Sequence, residues 1–390
     1  MSSFVIHNPV RLMFGRGQVD ALGPQVPDGA RVLLVTGGGS VERNGTLARV
    51  LDQLEGRAAV IEHLRGVQPN PEYEQLMAGV ALARQRDLDL VLAVGGGSVI
   101  DGAKFIAAAA RFEGDDPWAI LASRATVASA LPLGVVLTLP ATGSEMNHLS
   151  VVSRSELGLK LSFASEHVYP RFAIVDPDVT VSLPQWQVAN GVVDAFVHVL
   201  EQYVTPPVEA PLQERFAESV LQTLVEYGPR TWTNPQDAPA RDAVCHAATW
   251  ALNGVVGAGV PQDWSTHMIG HELTALYGLD HARSLAAVLF QNFELRMESK
   301  VWRLAQLAER VWGVRSGTEL ERAQLGLERT RAFFRQLGVA TSLAEYPDVR
   351  DDVADVVVAR LAERGITRLG EGRSVDLELV RRIVQTSRHG

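Results

Sequence analysis

The chain has 390 residues, 46% of them hydrophobic and 21% charged, a composition typical of globular proteins. Its formal net charge of −9 disfavours a protein that binds nucleic acid through the phosphate backbone. The single cysteine, Cys245, excludes an intrachain disulfide and lies in an alanine-rich stretch that predicts a buried, inert thiol. No signal peptide and no apolar run approaching the ~18 residues of a membrane span is visible. We therefore expect a soluble cytoplasmic protein with neither a nucleic acid nor a membrane as partner.

The first half of the chain alternates short apolar strands with helices. Strands are predicted at 32–35, 58–61, 88–94, 134–137 and 173–175, and helices at 46–54, 72–86 and 99–110. Strands that are apolar on both faces and separated by helices are typical of a parallel α/β sheet. This half therefore predicts a Rossmann-like nucleotide-binding domain.

The second half has helical periodicity almost throughout. Helices are predicted at 190–204, 212–226, 238–252, 301–311 and 318–337. Alternation followed by helices alone indicates two segregated domains. We place the boundary near Leu183–Pro184, which gives an α/β domain over 1–183 and an all-α domain over 184–390.

Two glycine-rich loops each follow a predicted strand and open a helix. They are Gly37, Gly38, Gly39 and Ser40, and Gly95, Gly96, Gly97 and Ser98. At the carboxyl ends of parallel strands such loops bind phosphates, because glycine admits the phosphate and a helix amino terminus offers N–H groups. The alternative is a plain turn before a capped helix, since Ser98 and Asp101 have capping spacing. Two such loops on one sheet favour phosphate binding.

Neither loop matches the best-known nucleotide motifs. Both lack the spacing G-x-G-x-x-G of the dinucleotide fingerprint. Ala103 precedes Lys104 where a P-loop requires glycine before the lysine, which removes most support for a kinase or an ATPase.

The helical half contains a set of imidazoles with one carboxylate. Asp194 and His198 are four residues apart, as are His267 and His271, and on a helix this spacing puts side chains on one face. His281 comes fourteen residues after His267. A continuous helix would separate those two by ~21 Å, too far for a shared metal with bonds of ~2 Å. We therefore predict a helix break at 278–280, with glycine at position 278 ending the first helix.

One carboxylate with three imidazoles suits a zinc or iron site that leaves room for a substrate oxygen. For any single histidine, a core or capping role is the favoured alternative, and the spacing alone leaves open which three of the four would bind. Met268 stands where a zincin motif needs glutamate, which argues against a metalloprotease.

Taken in order, these motifs resemble those of the iron-containing (group III) alcohol dehydrogenases. The motifs are Gly95-Gly96-Gly97-Ser98-x-x-Asp101-x-x-Lys104, Thr142-Gly143-Ser144-Glu145, Asp194-x-x-x-His198, and His267-x-x-x-His271 with His281. The match extends along essentially the whole chain, and the segments 139–147 and 190–198 resemble the branch of butanol dehydrogenases and NADPH-dependent aldehyde reductases. The resemblance implies a dehydroquinate-synthase-like architecture, with a nucleotide-binding domain, a helical metal-binding domain and a homodimer.

The resemblance also implies roles for particular residues. Asp194, His198, His267 and His281 would bind one divalent metal, zinc or iron, whereas His271 would face the nicotinamide. Pyrophosphate contacts are implied at Gly96, Gly97 and Ser98, and further cofactor contacts at Thr138, Leu139, Thr142, Ser144, Asn147 and Lys160. To these we add Gly95, Asp101, Pro69, Asn70 and the loop from Gly37 to Ser40.

The first glycine loop predicts a preference for NADP(H) over NAD(H). NAD-binding sites place an acidic side chain near the adenosine ribose, where it repels a 2′-phosphate. Here no acidic residue occurs before Glu42, and Arg43 could pair with the phosphate. The alternative is a tight turn followed by a solvated arginine.

The expected reaction is hydride transfer between a nicotinamide and an aldehyde or primary alcohol, with a metal that polarises the oxygen. His271 is a candidate proton relay, although a role in cofactor packing is equally compatible with its position. We expect a substrate pocket lined by Asn147, Val151, Phe196 and Trp264, which suits short- and medium-chain aliphatic substrates.

Other functions stay open at this point. One is a polyol (glycerol-type) dehydrogenase, and another is a dehydroquinate-synthase-like lyase, which would need cations that the segments 192–200 and 264–276 lack. A protein that binds a metal or a nucleotide without catalysis is the third.

Overall fold

The computed structural model describes residues 1–389, which divide into two compact units. The sheet unit consists of His7–Pro184 and Pro235–Thr249. The helical unit consists of Met1–Ile6, Gln185–Asn234 and the chain from Trp250 onward. The boundary near residue 183 stays a prediction for the functional domains, because compactness alone does not define them.

A parallel sheet forms the centre of the sheet unit. In chain order the strands are β1 (Arg11–Phe14), β2 (Ala30–Thr36), β3 (Ala58–Leu64), β4 (Leu90–Gly96), β5 (Leu133–Leu139), β6 (Leu149–Arg154), β7 (Leu159–Ala164), β8 (Phe172–Val175), β9 (Arg368–Leu369) and β10 (Val375–Asp376). Within the described residues, β1, β8, β5, β4, β2 and β3 lie side by side in that order, and every neighbouring pair is parallel. The predicted parallel α/β sheet is therefore confirmed.

The sheet is buried on both faces, as its continuous apolar strands predict. In β2, Leu33 and Val35 belong to one hydrophobic cluster, while Val32 and Leu34 belong to another. Successive side chains of a strand point to opposite faces, so the two clusters cover opposite sides of the sheet.

Helices make up most of the remaining structure. They are α1 (Ser40–Arg43), α2 (Thr46–Leu54), α3 (Tyr73–Gln85), α4 (Gly97–Ala110), α5 (Ala119–Ala122), α6 (Gln185–Tyr203), α7 (Pro211–Thr233), α8 (Ala238–Ala251), α9 (Ser265–Tyr277), α10 (His281–Leu295), α11 (Met297–Arg310), α12 (Glu319–Gln336), α13 (Val353–Glu363) and α14 (Leu377–His389). The predicted helix over 46–54 is found with the same bounds. The helix α12 begins with a capping box, in which Thr318 and Glu321 bond each other's backbone N–H.

The hairpin of β6 and β7 was not among the predicted elements. Its strands pair antiparallel over Leu149–Arg154 and Leu159–Ala164, in a small sheet of their own. The hairpin lies against α4, where Ser150 donates a hydrogen bond of 2.8 Å to the carbonyl oxygen of Asp101. Polar residues that serve such local contacts interrupt the apolar pattern by which a strand is recognised.

Across residues 1–389 we find no helix with both the length and the apolar character that crossing a membrane requires.

Candidate active site

Three helices of the helical unit carry the residues of the predicted metal site. Helix α6 presents Asp194 and His198 one turn apart, and each is 3% exposed. Helix α9 carries His267 in its first turn and ends at Tyr277. The predicted helix break is confirmed, since the helix ends against Gly278 at φ 67° and His281 is the first residue of α10.

The break between α9 and α10 brings His281 back to the other predicted ligands. Asp194, His198, His267 and His281 each offer one ligand atom, and these atoms all lie within 4.8 Å of one another. Oδ1 of Asp194 lies 3.8 Å from Nδ1 of His198 and 3.7 Å from Nε2 of His281. The fold thus groups the three histidines that the resemblance implied, and their role as metal ligands stays a prediction.

The electrostatics of this cluster suit a divalent cation. Burial, which Asp194 opposes and the neighbouring His267 reinforces, lowers the pKa of His198 to about 4. The ring of His198 is therefore neutral near pH 7 and keeps a lone pair. Its Nδ1 is buried and makes no hydrogen bond to residues 1–389. One carboxylate and three imidazoles form a donor set that zinc and ferrous ions accept, so the residues present fit such a metal.

Glu201 is a member of this site that the sequence reasoning missed. It is fully buried on α6 and accepts hydrogen bonds from the backbone N–H groups of Thr266, at 2.7 Å, and His267, at 3.2 Å. Its Oε2 also contacts Nδ1 of His267. A carboxylate bound to one ring nitrogen fixes the orientation of the imidazole and directs the other nitrogen away from it. The spacing 194, 198, 201 was the available signal, because it places all three side chains on one face of a helix.

A buried ionic network holds the turn that precedes α9. Asp263 accepts hydrogen bonds from Arg296, at 2.7 Å, and Lys300, at 2.6 Å. Burial would raise the pKa of Asp263, but a hydrogen bond with Glu371 and the charges of Lys300 and Arg296 hold it below its usual value. Its other oxygen accepts the N–H of Ser265 at 3.0 Å. Trp264, between Asp263 and Ser265, adopts φ 62°, a left-handed conformation that non-glycine residues rarely adopt. The network therefore fixes the start of the helix that carries His267.

His271 lies one turn beyond His267 and is partly exposed. Its ring centroid is 5.3 Å from that of His281 and 6.4 Å from that of His267. The next residue, Glu272, is buried and accepts a hydrogen bond of 2.7 Å from Arg360 on α13. His271 thus borders the cluster on a helix that is anchored at its start by Glu201 and Asp263 and near its middle by Glu272.

The aromatic residues predicted to line the substrate pocket lie in different surroundings. Trp264 is partly exposed, and its ring centroid is 5.1 Å from that of His267. Phe196 is fully buried and packs with aromatic neighbours of the core. These neighbours are Trp312, Phe333 and Phe334. A residue two positions from Asp194 on a helix faces away from it, so Phe196 is directed into the core instead of toward the ligands.

The two glycine loops lie next to each other in the sheet unit. The first follows β2, and the second spans the end of β4 and the start of α4. Because β2 and β4 pair directly, both lie at the same edge of the sheet. A Cβ at Gly97 would lie 2.6 Å from Oγ1 of Thr142, so only glycine fits there. Helix α4 begins at Gly97 without a side-chain cap, and the predicted capping pair of Ser98 and Asp101 is therefore wrong.

The other predicted cofactor residues fall into two groups around these loops. In one, the N–H of Asn70 donates to Oγ of Ser98 at 3.2 Å, and Lys160 donates to Oδ1 of Asn70 at 2.8 Å. Pro69 immediately precedes Asn70. The other group lies at the end of β5 and in the segment after it, and contains Thr138, Leu139, Thr142, Ser144 and Asn147.

Within the second group, Leu139 and Thr142 are partly exposed, whereas the other three residues are buried. Ser144 and Asn147 are only 2% and 5% exposed, and both accept hydrogen bonds of 2.9 Å from Lys104. Val151, predicted for the substrate pocket, is partly buried on β6 and donates its N–H to Asp101 at 3.0 Å.

Comparison with known proteins agrees with this geometry. Residues 9–177 match the family model of iron-containing alcohol dehydrogenase, and residues 188–385 match that of the carboxyl-terminal part of the Fe-containing alcohol dehydrogenase family. The chain is 50% identical over 390 residues to the NADPH-dependent aldehyde reductase YqhD of Escherichia coli K12, with all of both chains covered. It is 39% identical over 391 residues to the probable NADH-dependent butanol dehydrogenase 1 of Bacillus subtilis, covering 99% of this chain and 100% of the relative.

Solved structures show the same fold over the full length. The crystal structure of Escherichia coli YqhD superposes with a TM-score of 0.97 at 49% identity, covering 100% of this chain and 99% of that one. NADH-dependent butanol dehydrogenase A of Thermotoga maritima superposes with a TM-score of 0.93 at 31% identity, covering 99% of each chain. The two family models together span most of the sequence, and the motifs quoted above lie within them. The chain therefore belongs to the iron-containing alcohol dehydrogenase family.

Proposed function

We propose that this protein transfers a hydride between NADP(H) and short- to medium-chain aliphatic aldehydes or primary alcohols, in a metal-dependent reaction. The observation that carries the proposal is the convergence of Asp194 and three histidines within 4.8 Å, in a chain of this family. The 50% identity to a protein named NADPH-dependent aldehyde reductase supports the aldehyde as substrate.

In this proposal Asp194, His198, His267 and His281 hold one divalent metal, zinc or iron. When bound, the metal supplies Lewis acidity at the substrate oxygen and the nicotinamide supplies the hydride. Glu201 keeps the ring of His267 in one orientation, because it binds both the ring and the backbone of that residue. The protein's own contribution is thus a set of donors that is largely buried and, at His267, held in one orientation.

We assign His271 to proton transfer between solvent and the reacting oxygen. It is partly exposed and lies beside His281, so it can exchange protons with water while remaining close to the cluster. An imidazole is suited to this task because its usual pKa lies near neutral pH. The alternative role, packing against the cofactor, predicts a changed KM for the cofactor with an unchanged solvent isotope effect.

Trp264 supports the preference for aliphatic substrates. Its indole ring lies 5.1 Å from the ring of His267 between centroids, and the side chain is partly exposed. An aromatic surface beside the donor set favours an alkyl chain over a polyol, whose hydroxyl groups would lose hydrogen bonds to water there.

The side chains around the first glycine loop support NADP(H) as the preferred cofactor. No acidic residue occurs among Gly37 to Ser40. A terminal nitrogen of Arg43 lies 3.1 Å from the position that a Cβ on Gly39 would occupy, and a carboxylate oxygen of Glu42 lies 3.7 Å from it. A second guanidinium is held near the loop, because Arg65 donates to Nδ1 of His63 at 2.9 Å, while Nε2 of His63 lies 2.8 Å from Oγ1 of Thr36. Arginine pairs well with phosphate, and the two guanidinium groups at this loop outnumber the single carboxylate of Glu42.

We also propose a homodimer. Apolar residues of the amino-terminal segment are exposed, with Val5 92%, Ile6 49% and Phe4 44% exposed, and an exposed apolar patch commonly marks a protein interface. Size-exclusion chromatography with light scattering measures the mass directly, and a monomer at micromolar concentration would contradict this assignment.

The experiment that tests the proposed function is NADPH oxidation in the presence of butanal, followed by absorbance. Protein is purified without chelators, analysed for metal, stripped, and reconstituted separately with zinc and ferrous ion. We expect activity to return with one of these metals and to favour butanal over glyceraldehyde. A preference for glycerol over butanol in the oxidative direction would instead support a polyol dehydrogenase.

A further inference from the structure

Two charged residues of the second glycine motif face a neighbouring segment of the protein. Gly97, Asp101 and Lys104 are spaced i, i+4 and i+7 on α4, so they share one face of the helix. The segment 142–151, which runs from the end of β5 into β6, lies against this face. At its start, Thr142 packs so closely on Gly97 that a Cβ there would lie 2.6 Å from the threonine oxygen.

Lys104 is fully buried, and its ammonium group is saturated by this segment. Nζ donates to Oγ of Ser144 at 2.9 Å, to Oδ1 of Asn147 at 2.9 Å and to the carbonyl oxygen of Leu149 at 2.7 Å. An ammonium group has three protons to donate, so none remains for a ligand. Lys104 therefore joins three points of the segment to one position on α4.

Asp101 makes the complementary set of bonds. Its Oδ1 accepts the hydroxyl of Ser144 at 2.6 Å, and its Oδ2 accepts the N–H of Val151 at 3.0 Å. The hydroxyl of Ser150 also donates to its backbone carbonyl at 2.8 Å. Ser144 thus lies between the cation and the anion, accepting from Lys104 and donating to Asp101.

Burial disfavours the charged forms of Asp101 and Lys104, and the attraction between the two opposite charges offsets part of that cost. Burial lowers the pKa of Lys104 to about 8, while Asp101 and Glu145 raise it. Burial raises the pKa of Asp101, and Lys104 with Ser144 opposes that shift. Glu145 is itself buried with a raised pKa. Removing one member of such a pair leaves an uncompensated buried charge, whereas removing both is much less costly.

We propose that Asp101 and Lys104 are positioning residues, which hold segment 142–151 against α4 so that both sides of the pyrophosphate subsite keep one geometry. This inference rests on the proposed function, in which Gly95 to Ser98 receive the pyrophosphate and Thr142 flanks it. In this inference neither charged side chain acts by contacting the nucleotide, and this indirect role replaces the direct contact that we expected of Asp101. The two residues act through the backbone that they hold in place.

The test compares two nucleotides in the variant Lys104→Met, which preserves the length of the side chain and removes its charge. NADPH contains the pyrophosphate, whereas 2′-AMP carries the adenosine and its 2′-phosphate without one. We expect the Kd of NADPH, measured by calorimetry, to rise about tenfold or more, as for coupled members of one network. The Kd of 2′-AMP changes by less than about twofold, because its site lies outside the network.

Two further variants separate positioning from general destabilisation. Lys300→Met removes another fully buried lysine, in the helical unit, and should lower the melting temperature with no change in the Kd of NADPH. The double variant Lys104→Met with Asp101→Asn removes both charges and should recover part of the lost NADPH affinity. If Lys104→Met does not fold, Lys104→Gln replaces it, since the amide removes the charge and still offers a hydrogen bond to the segment.

Several outcomes contradict this inference. One is an unchanged Kd of NADPH in a folded Lys104→Met or Lys104→Gln protein, and another is an equal loss of affinity for NADPH and 2′-AMP. A third is an equal effect of Lys300→Met on the Kd of NADPH. A parent protein that binds no nicotinamide nucleotide would contradict the proposed function itself, which keeps the two failures distinct.

Discussion

The carboxylate of Glu201 binds His267 twice, at its backbone N–H over 3.2 Å and at Nδ1 of its ring. The two residues lie on different helices, α6 and α9, so this contact ties the helix of Asp194 and His198 to the helix of His267. The same carboxylate accepts the N–H of Thr266 at 2.7 Å. This N–H lies in the first turn of α9, where backbone donors have no partner within the helix. One buried side chain therefore both begins a helix and orients a proposed metal ligand.

Replacing Glu201 by glutamine should weaken metal binding while preserving the shape of the side chain. The amide is a poorer acceptor than the carboxylate, so the ring of His267 loses its fixed orientation and some of its basicity. We expect metal affinity to fall by a factor of ~10–100. Competition with a chromogenic chelator measures the affinity, and the visible spectrum of the cobalt-substituted protein reports the change in coordination geometry.

Glu218→Gln is the matched control for this experiment. Glu218 is also buried in the helical unit, where it accepts hydrogen bonds from Tyr203 at 2.7 Å and Gln306 at 3.0 Å. The variant Glu218→Gln should lower the melting temperature without changing metal affinity. Equal metal affinity in Glu201→Gln and the parent would show that Glu201 has only a structural role.

Removal of His281 should abolish metal binding and leave the fold intact. In His281→Ala, two imidazoles and one carboxylate remain, and His281 is the first residue of α10, where alanine is well tolerated. We expect loss of bound metal and of aldehyde reduction, with an unchanged circular dichroism spectrum. Full metal content together with normal turnover would contradict the ligand assignment.

A carboxylate introduced at Gly38 should shift cofactor choice toward NADH. Gly38 is the best position in the first loop, because a Cβ there meets nothing within 4 Å, whereas Gly39 has φ 87° and would be strained by any side chain. We expect Gly38→Asp to weaken NADPH binding ~10-fold or more through repulsion of the 2′-phosphate, with little effect on NADH. Gly38→Asn controls for size without charge. A parent that already prefers NADH, by kcat/KM, would contradict the proposed cofactor.

The thiol of Cys245 should be unreactive in the native protein at pH 8. Burial raises its pKa to about 12, and the side chain is fully buried in the sheet unit. We expect no modification by a chromogenic disulfide reagent until denaturant is added. Since an exposed thiol ionises at about pH 8.5, the unfolded state loses the proton first, and this group lowers the free energy of unfolding as the pH rises from there to about 12. Rapid modification of the folded protein would contradict the burial.

Features that depend on spacing and reach could be predicted from the sequence. The break at Gly278 followed from the distance between His267 and His281 along a continuous helix, and the structure confirms it with φ 67°. The parallel sheet followed from apolar strands that alternate with helices. Both predictions rest on patterns within short stretches of the sequence, namely residue spacing along a helix and the alternation of strands with helices.

Features that depend on which way a side chain faces were harder to predict. Phe196 stands two residues from Asp194, and closeness in sequence suggested a place beside the ligands, whereas helical rotation directs it to Phe333 and Phe334. Glu201 was missed although its spacing from His198 puts it on the ligand face. The positioning role proposed for Asp101 and Lys104 depends on segment 142–151, which is distant from them in sequence. Polar residues in this segment interrupt the apolar pattern by which β6 would be recognised.

The order in which the chain builds its two units limits how the protein can be cut. Pro235–Thr249 belongs to the sheet unit, where His246 packs on Phe14 at 5.1 Å between ring centroids and Asp242 pairs with Arg16 at 3.0 Å. A fragment that stops at residue 184 lacks this piece and uncovers those partners. Any uninterrupted fragment that keeps the sheet unit whole must also carry Gln185–Asn234, including Asp194 and His198. A minimal nucleotide-binding protein would therefore require Pro184 and Pro235 to be rejoined through a new linker, because truncation at a single point cannot produce one.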